Sequence, residues 1–271
     1  MASEKQQRQK EQRAAKREAE RKAAQRKEIF RRIRTALGLG LFVAVILLVI
    51  PALTGDDESL PETYQQFRDQ PTACGGDQPP PSEQVDYEAP DDVELPAGAI
   101  ATIVTSCGEI VIELDTETSP LSVNSFAYLA QQGFYDGTVF HRIVDDFVIQ
   151  GGDPSASGSG GPGYGIPDEF PDADFAYDEG VVAMAKAPAS NSTGSQFFIV
   201  HGSQGAILSP TFNVIGRVIS GMDTVEQIAS IETVRGVTRE VSNPTETAYI
   251  ESIAIDGSAT STFYRPAVPL A

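Results

Sequence analysis

The chain has 271 residues and a formal net charge of −18, and its length allows one or two domains. The charge is segregated, because residues 1–34 hold 13 basic and 5 acidic side chains and the remainder holds 7 basic and 33 acidic ones. This segregation argues against a chain that lies in one uniform environment. Since only two His and two Cys occur, with no carboxylate cluster beside either histidine, the composition also argues against a metal centre, and we expect no cofactor.

An apolar run follows the basic segment and predicts a single membrane-spanning helix at residues 35–54. Thr35–Leu53 carries no charge and approaches the roughly 20 residues that span a bilayer core. Basic side chains precede it and acidic ones follow it, so the positive-inside rule places residues 1–34 in the cytoplasm and the rest outside. A buried core helix and a cleaved signal peptide are the alternatives. We expect a single-pass cell-membrane protein with a cytoplasmic N-terminus.

The two segments that flank the predicted anchor differ in composition. Residues 1–34 are rich in helix-forming charged residues, and predict a basic helix that orients the anchor or lies on anionic lipid. Nucleic-acid binding is disfavoured, because the segment lacks aromatic interleaving and any known fold motif. Residues 55–98 are acidic and rich in Pro, which predicts a mostly disordered linker.

Both cysteines lie on the predicted outer side of the membrane, where oxidation is allowed. Cys74 falls in the predicted linker and Cys107 falls between two predicted strands. A bridge between Cys74 and Cys107 is therefore a hypothesis, and two unpaired thiols are the alternative, because spacing alone does not supply the geometry.

A change to β-rich runs from Ala99 onward predicts a folded domain at residues 99–256. Two β-rich runs around Ser106-Cys107-Gly108-Glu109 predict a hairpin. Ser119 and Pro120 then begin a predicted helix that Gly133 ends. Further strands are predicted from Thr138, at VVAMAKA, SQFFIVHG and TFNVIGRVI, and at the closing TAYIESIAID.

A second helix is predicted near Met222–Ile231, and a loose tail at residues 257–271. Many short strands with two helices fit a mainly β fold, in which a closed barrel has the helices over its open ends. The pattern alone leaves a β-sandwich open.

Three segments of this domain carry a resemblance to a known family. FHRIVDDFVIQGGD spans 140–153, GYGIPDEF spans 163–170 and MAKAPASNSTGSQFFI spans 184–199. In this order they resemble the motifs of cyclophilin-type peptidyl-prolyl cis–trans isomerases, and the resemblance extends over residues 99–256. It implies an eight-stranded barrel capped by two helices. The preceding apolar run makes the chain similar to the membrane-anchored bacterial members.

The resemblance also assigns the site. Arg142 is implied as the catalytic group, with His141 beside it and Gln150 holding the substrate carbonyl. The implied proline pocket comprises Phe147, Val148, Phe198, Leu208 and Phe212. The implied peptide-pairing backbone comprises Ala185, Lys186 and Ala187. Gln196 is implied to support Arg142 by hydrogen bonding.

These residue types suit rotation about an X-Pro bond. The barrier is about 20 kcal/mol and no bond breaks, so neither a nucleophile nor a metal is needed. A fixed cationic donor such as Arg142 stabilises the twisted imide, whose nitrogen regains its lone pair. We expect a monomeric isomerase that acts on proline-containing polypeptides outside the membrane and assists folding. The alternative is a proline-peptide-binding module or chaperone with little turnover, which would not require Arg142.

Overall fold

The computed structural model describes residues 64–82, 85–90, 95–236 and 239–256. They all belong to the second of the two units into which the chain divides, Glu58–Ala271. The basic segment 1–34, the predicted anchor 35–54 and the tail 257–271 lie outside the described residues, so those interpretations stay predictions. Within the described ranges, no helix has the length and apolar character required to cross a membrane.

Eight antiparallel strands form one sheet, and two short strands form a separate hairpin. In chain order they are β1 Ile100–Thr105, β2 Gly108–Leu114, β3 Arg142–Val144, β4 Val148–Gly151, β5 Val181–Lys186, β6 Thr193–Val200, β7 Val214–Ser220, β8 Thr233–Arg235, β9 Val241–Pro244 and β10 Ile250–Asp256. The sheet order is β10-β1-β2-β7-β5-β6-β4-β3, and β8 pairs with β9. The first hairpin, β1–β2, lies where the sequence predicts it.

The sheet curls into an open barrel, which corrects the prediction of a closed one. Its edge strands are β3 and β10. Between them the described chain forms no ladder of paired strands: a bridge joins Val139 to Tyr249, and single backbone hydrogen bonds run from Phe140 N to Ala248 O, from Ile250 N to Thr138 O and from Gly137 N to Ile250 O. The two strands do not pair further, because β3 is three residues long and begins only after this bridge.

Three α-helices accompany the sheet in the described ranges. They are α1 Tyr64–Asp69, α2 Pro120–Gln131 and α3 Met222–Ala229. The last two are the predicted pair, and α2 buries the predicted face of Val123, Phe126, Leu129 and Ala130. The Phe126 ring lies edge-on to Phe197 of β6, with ring centroids 5.7 Å apart, so α2 seals the apolar interior of the barrel.

The first turn of α2 is capped by a residue that is distant in sequence. Ser119 occupies the N-cap position but makes no side-chain capping hydrogen bond, which corrects the expectation for it. Instead the Glu169 carboxylate accepts from the backbone N–H groups of Leu121 and Ser122, each at 2.9 Å. A carboxylate there satisfies unpaired N–H groups and complements the positive end of the helix. This bond fixes the GYGIPDEF segment against α2.

The predicted linker is in part an integral piece of the domain. Phe67 of α1 is buried, and the Tyr64 hydroxyl lies 2.6 Å from the carbonyl oxygen of Gly137. Thr247, just before β10, donates its hydroxyl to Phe67 O and its N–H to Pro71 O. The prediction of disorder across 55–98 is therefore wrong for its described part, because aromatic side chains at Tyr64, Phe67 and Tyr87 supply the apolar contacts that the surrounding acidic composition conceals.

A disulfide joins this N-terminal extension of the domain, which comprises residues 64–82, 85–90 and 95–98, to the barrel. Cys74 and Cys107 are bonded, with their Cα atoms 5.1 Å apart, so the hypothesis of a bridge is confirmed. Cys107 lies in the turn between β1 and β2, and Cys74 follows α1. The bridge therefore holds α1 close to the first hairpin of the domain.

Candidate functional site

Arg142 lies at the open edge of the barrel and begins a row of three polar side chains. It faces Gln150 across the β3–β4 ladder, and its Nη1 donates to Gln150 Oε1 at 3.1 Å. Gln150 Nε2 in turn donates to Gln196 Oε1 at 3.0 Å, and Gln196 Nε2 donates to Gly160 O. The expected support of Arg142 by Gln196 is thus indirect and passes through Gln150.

An acidic side chain, Glu240, which the sequence interpretation missed, holds the other edge of the guanidinium. Arg142 Nε donates to Glu240 Oε2 at 2.7 Å, and Nη2 donates to Glu240 Oε1 at 2.9 Å. Such a two-pronged pair combines charge with a fixed planar geometry. The hydrogen bonds from Arg142 lower the pKa of Glu240, against the opposing effect of its burial. Glu240 is therefore ionised at neutral pH.

The five predicted pocket residues come together in one apolar cluster beside Arg142. Val148 and Phe198 are buried in it, while the other three members are partly exposed at its rim. The rings of Phe198 and Phe212 meet edge to face with centroids 5.5 Å apart. Arg142 Cζ lies 5.8 Å from the centroid of the Phe147 ring. The arrangement sets a cation at the margin of an apolar surface formed by Phe147, Val148, Phe198, Leu208 and Phe212.

Tyr177 is a second residue that sequence reasoning missed. It is fully buried in the apolar cluster, and its hydroxyl donates to Phe212 O at 2.7 Å while accepting from Phe212 N at 3.0 Å. One hydroxyl thus satisfies both backbone polar groups of Phe212. Burial raises the pKa of Tyr177, so the hydroxyl keeps the proton that it donates. Tyr177 lies outside all three family motifs, and its sequence context gives no signal of this role.

The predicted peptide-pairing segment borders a groove of about 690 Å³. Ala185, Lys186 and Ala187 form one wall, the Gly-rich stretch 158–165 forms another, and Gln150 and Gln196 connect the groove to Arg142. The β5–β6 register shifts between Met184 and Lys186, so Ala185 falls in the irregular part of the ladder.

The Lys186 side chain is engaged away from this backbone. Its Nζ forms an ion pair with Asp168 and lies 4.8 Å from the centroid of the Phe170 ring. Asp168, Glu169 and Phe170 are consecutive, so the Asp-Glu-Phe motif orients Lys186 and caps α2 at once. This geometry supports a role for the Lys186 backbone and not for its charge.

His141 lies behind Arg142 and is buried. Among the described residues neither ring nitrogen has a partner at good hydrogen-bond geometry, although the Val139 backbone and the Gln196 side chain lie close enough to raise the pKa of the imidazole slightly against the effect of burial. Burial lowers the pKa of His141, although the charge of Asp153 opposes this effect. A buried neutral imidazole does not supply a fixed positive charge, so the geometry favours Arg142 over His141 as the cationic group.

The described residues contain no group of three or more His, Cys, Asp or Glu side chains arranged to hold a metal ion. The second histidine, His201, is buried, and its Nε2 lies 3.0 Å from Val144 O. This contact places His201 against the backbone of β3.

Comparison with known proteins identifies the domain. Residues 100–255 match the family model described as cyclophilin type peptidyl-prolyl cis–trans isomerase, which is more than half of the chain. The chain belongs to the cyclophilin-type isomerase family. The match spans all the site residues described above, including Tyr177 and Glu240.

Individual cyclophilins from several kingdoms are similar to this chain. Peptidyl-prolyl cis–trans isomerase ppi1 of Schizosaccharomyces pombe is 41% identical over 140 residues, which cover 48% of this chain and 84% of that protein. Peptidyl-prolyl cis–trans isomerase B of Bacillus subtilis is 40% identical over 129 residues, covering 48% and 89%. A probable isomerase B of Mycobacterium tuberculosis is 35% identical over 176 residues, covering 59% of this chain and 56% of its own length.

A solved cyclophilin has a similar fold. The crystal structure of a Cryptosporidium parvum cyclophilin, determined in the presence of the dipeptide Ala-Pro, superposes with a TM-score of 0.52 at 30% identity. The superposition covers 58% of this chain and 98% of the other. The family and these relatives establish that this chain is a peptidyl-prolyl cis–trans isomerase.

Proposed function

We propose that this cyclophilin-type isomerase accelerates X-Pro rotation by binding the twisted imide beneath Arg142. The observation that carries the proposal is the position of the guanidinium, 5.8 Å from the Phe147 ring at the margin of the apolar cluster. A proline ring has no N–H to satisfy and suits an apolar surface. With the ring held there, the imide would lie within reach of the cation.

The remaining donors of Arg142 are suited to a transition state. A guanidinium has five N–H groups, and the contacts to Glu240 and Gln150 use three of them. One donor on each Nη is left for a substrate. Rotation localises the lone pair on the proline nitrogen, so a donor aimed there binds the twisted form better than either planar isomer. One charge-assisted hydrogen bond contributes about 1.5–3 kcal/mol, and positioning in the groove supplies more.

The substrates that we propose are proline-containing segments of polypeptides, which pair as an added strand with the Ala185–Ala187 backbone. The Ala-Pro dipeptide used with the Cryptosporidium parvum cyclophilin supports this substrate class. The proposed pocket of five apolar side chains receives the proline ring, and Gln150 receives the carbonyl that precedes it. All these groups come from one chain, which supports a monomeric enzyme.

We propose that the domain works outside the cell membrane, tethered by residues 35–54. The Cys74–Cys107 disulfide supports this location, because such bridges persist in oxidising compartments. The asymmetry of charge around the apolar run supports the same orientation. Protease added to intact cells should remove the isomerase domain, and protection until the membrane is permeabilised would contradict the proposed orientation.

An Arg142→Ala variant tests the mechanism. We expect it to lose most turnover on an X-Pro peptide in a protease-coupled assay, with its circular dichroism and unfolding midpoint close to those of the parent. Arg142→Lys is the matched comparison, since it keeps a charge but loses the planar fork. Undiminished turnover in Arg142→Ala would refute the assigned role. If Arg142→Ala still binds the peptide but no longer turns it over, the protein is a catalyst. If the protein were only a binding module, the parent protein itself would already show little turnover.

A further inference from the structure

The β8–β9 hairpin brings a carboxylate to the cationic group of the site. β9 lies beside β3, the edge strand that carries Arg142. Glu240 immediately precedes β9, and its carboxylate accepts hydrogen bonds from both Nε and Nη2 of Arg142. The two residues are 98 positions apart in sequence, so this contact exists only in the folded domain.

The backbone around Glu240 is itself constrained. Gly236 N donates to Glu240 O at 2.8 Å, and Arg239 N donates to Gly236 O at 2.9 Å. Arg239 adopts a φ of 64°, a left-handed conformation that disfavours non-glycine residues. Glu240 is therefore held at its carbonyl by Gly236 and at its carboxylate by Arg142.

Both members of the pair are partly withdrawn from solvent. The Arg142 and Glu240 side chains are 28% and 38% exposed, and the two hydrogen bonds run side by side. A free Arg side chain samples many rotamers, so holding it in one geometry requires contacts that offset the lost entropy. A single hydrogen bond from Nη1 to Gln150 would leave the guanidinium able to rotate about that bond. The two hydrogen bonds to Glu240 on the opposite edge fix the guanidinium plane.

We propose that Glu240 is a positioning residue of this isomerase, which fixes the guanidinium plane of Arg142 so that its two free donors face the rotating imide. The inference rests on the proposed function of Arg142. Glu240 acts through Arg142 and does not touch the substrate. Its negative charge would weaken the field of the guanidinium, so the opposing possibility is a carboxylate that restrains activity and whose removal raises turnover.

The test replaces Glu240 by Gln, which keeps the size of the side chain but removes the charge and one acceptor. Loss of alignment by about 1 Å can cost up to about a hundredfold in rate. We expect kcat to fall at least tenfold with KM little changed, because an interaction that acts in the transition state lowers kcat and kcat/KM together. Glu246→Gln is the matched control, since Glu246 is exposed and follows the same hairpin. Unchanged or increased kcat in Glu240→Gln would overturn the inference.

A double variant separates this inference from the function on which it rests. If Glu240 acts through Arg142, Arg142→Ala combined with Glu240→Gln should be no slower than Arg142→Ala alone. A further loss in the double variant would show an independent role and overturn the inference. Full activity in Arg142→Ala would instead refute the proposed function, whereas an inactive Arg142→Ala beside a fully active Glu240→Gln would refute only the positioning role.

Discussion

The disulfide between the extension and the β1–β2 turn should account for a large part of the stability of the domain. Cys74 and Cys107 are 33 residues apart. In the chain-entropy account, a crosslink that closes a loop of this length contributes about 3–4 kcal/mol, mainly by restricting the unfolded chain. The whole unfolding free energy of a domain is typically about 5–15 kcal/mol. Replacing both cysteines by serine should therefore shift the equilibrium strongly while leaving the fold in place.

Urea unfolding of the fragment that begins at Glu58 measures this effect. We expect the Cys74→Ser, Cys107→Ser variant to lose about 3–4 kcal/mol in unfolding free energy, and the parent protein to lose a similar amount in reductant. The variant should not respond to reductant, which is the internal control. Neither cysteine contacts the hydrogen-bonded side chains Arg142, Gln150 and Gln196, so the turnover of each folded molecule should be unchanged. A parent protein whose midpoint ignores reductant would refute the reasoning.

Three further predictions concern polar groups of the site. Tyr177→Phe leaves the N–H and C=O of Phe212 without their partner, so we expect a loss of about 1–3 kcal/mol in unfolding free energy and a raised KM for X-Pro peptides; an unchanged KM would show that Phe212 needs no support. Burial lowers the pKa of His141, so below about pH 6.5 the unfolded chain binds a proton that the native protein does not bind. The free energy of unfolding should therefore fall as the pH drops below about 6.5, and it should fall less in the His141→Asn variant. Turnover should stay flat between about pH 6 and 8, because Arg142 does not titrate there, and a bell-shaped kcat would implicate His141 instead.

Local patterns were sufficient to predict the elements that surround the site. The β1–β2 hairpin follows from two β-rich runs on either side of a Ser-Cys-Gly turn, and α2 follows from Pro120 and an apolar face at helical spacing. The pocket residues were found because three motifs in family order contain or flank them. Each of these signals lies within a short stretch of chain, and the structure brings the five apolar side chains together as the resemblance implied.

Long-range contacts were beyond the reach of the same reasoning. Glu240 lies on a hairpin of two very short strands, and nothing in its neighbourhood marks it as a partner of Arg142. Glu169 caps α2 from 47 residues away, where Ser119 offered a simpler local explanation. The prediction of disorder in the extension is wrong for a related reason. An acidic, Pro-rich composition predicts disorder, yet a few buried aromatic side chains such as Phe67 are enough to pack the extension against the domain.

The open edge of the barrel and the support of Arg142 follow from one topological feature. β3 is paired on one side with β4, and on the other side it has no strand partner in the sheet, since the contacts with the β10 side are made by the residues just before β3. The β8–β9 hairpin lies beside β3. Its strands pair with each other and not with the eight-stranded sheet, so their side chains need not follow the register that neighbouring barrel strands keep. A side chain from such an element can approach a guanidinium along its edge, in the plane that two parallel hydrogen bonds require. The gap in the ladder thereby gives Arg142 an acidic partner on the side that Gln150 does not reach.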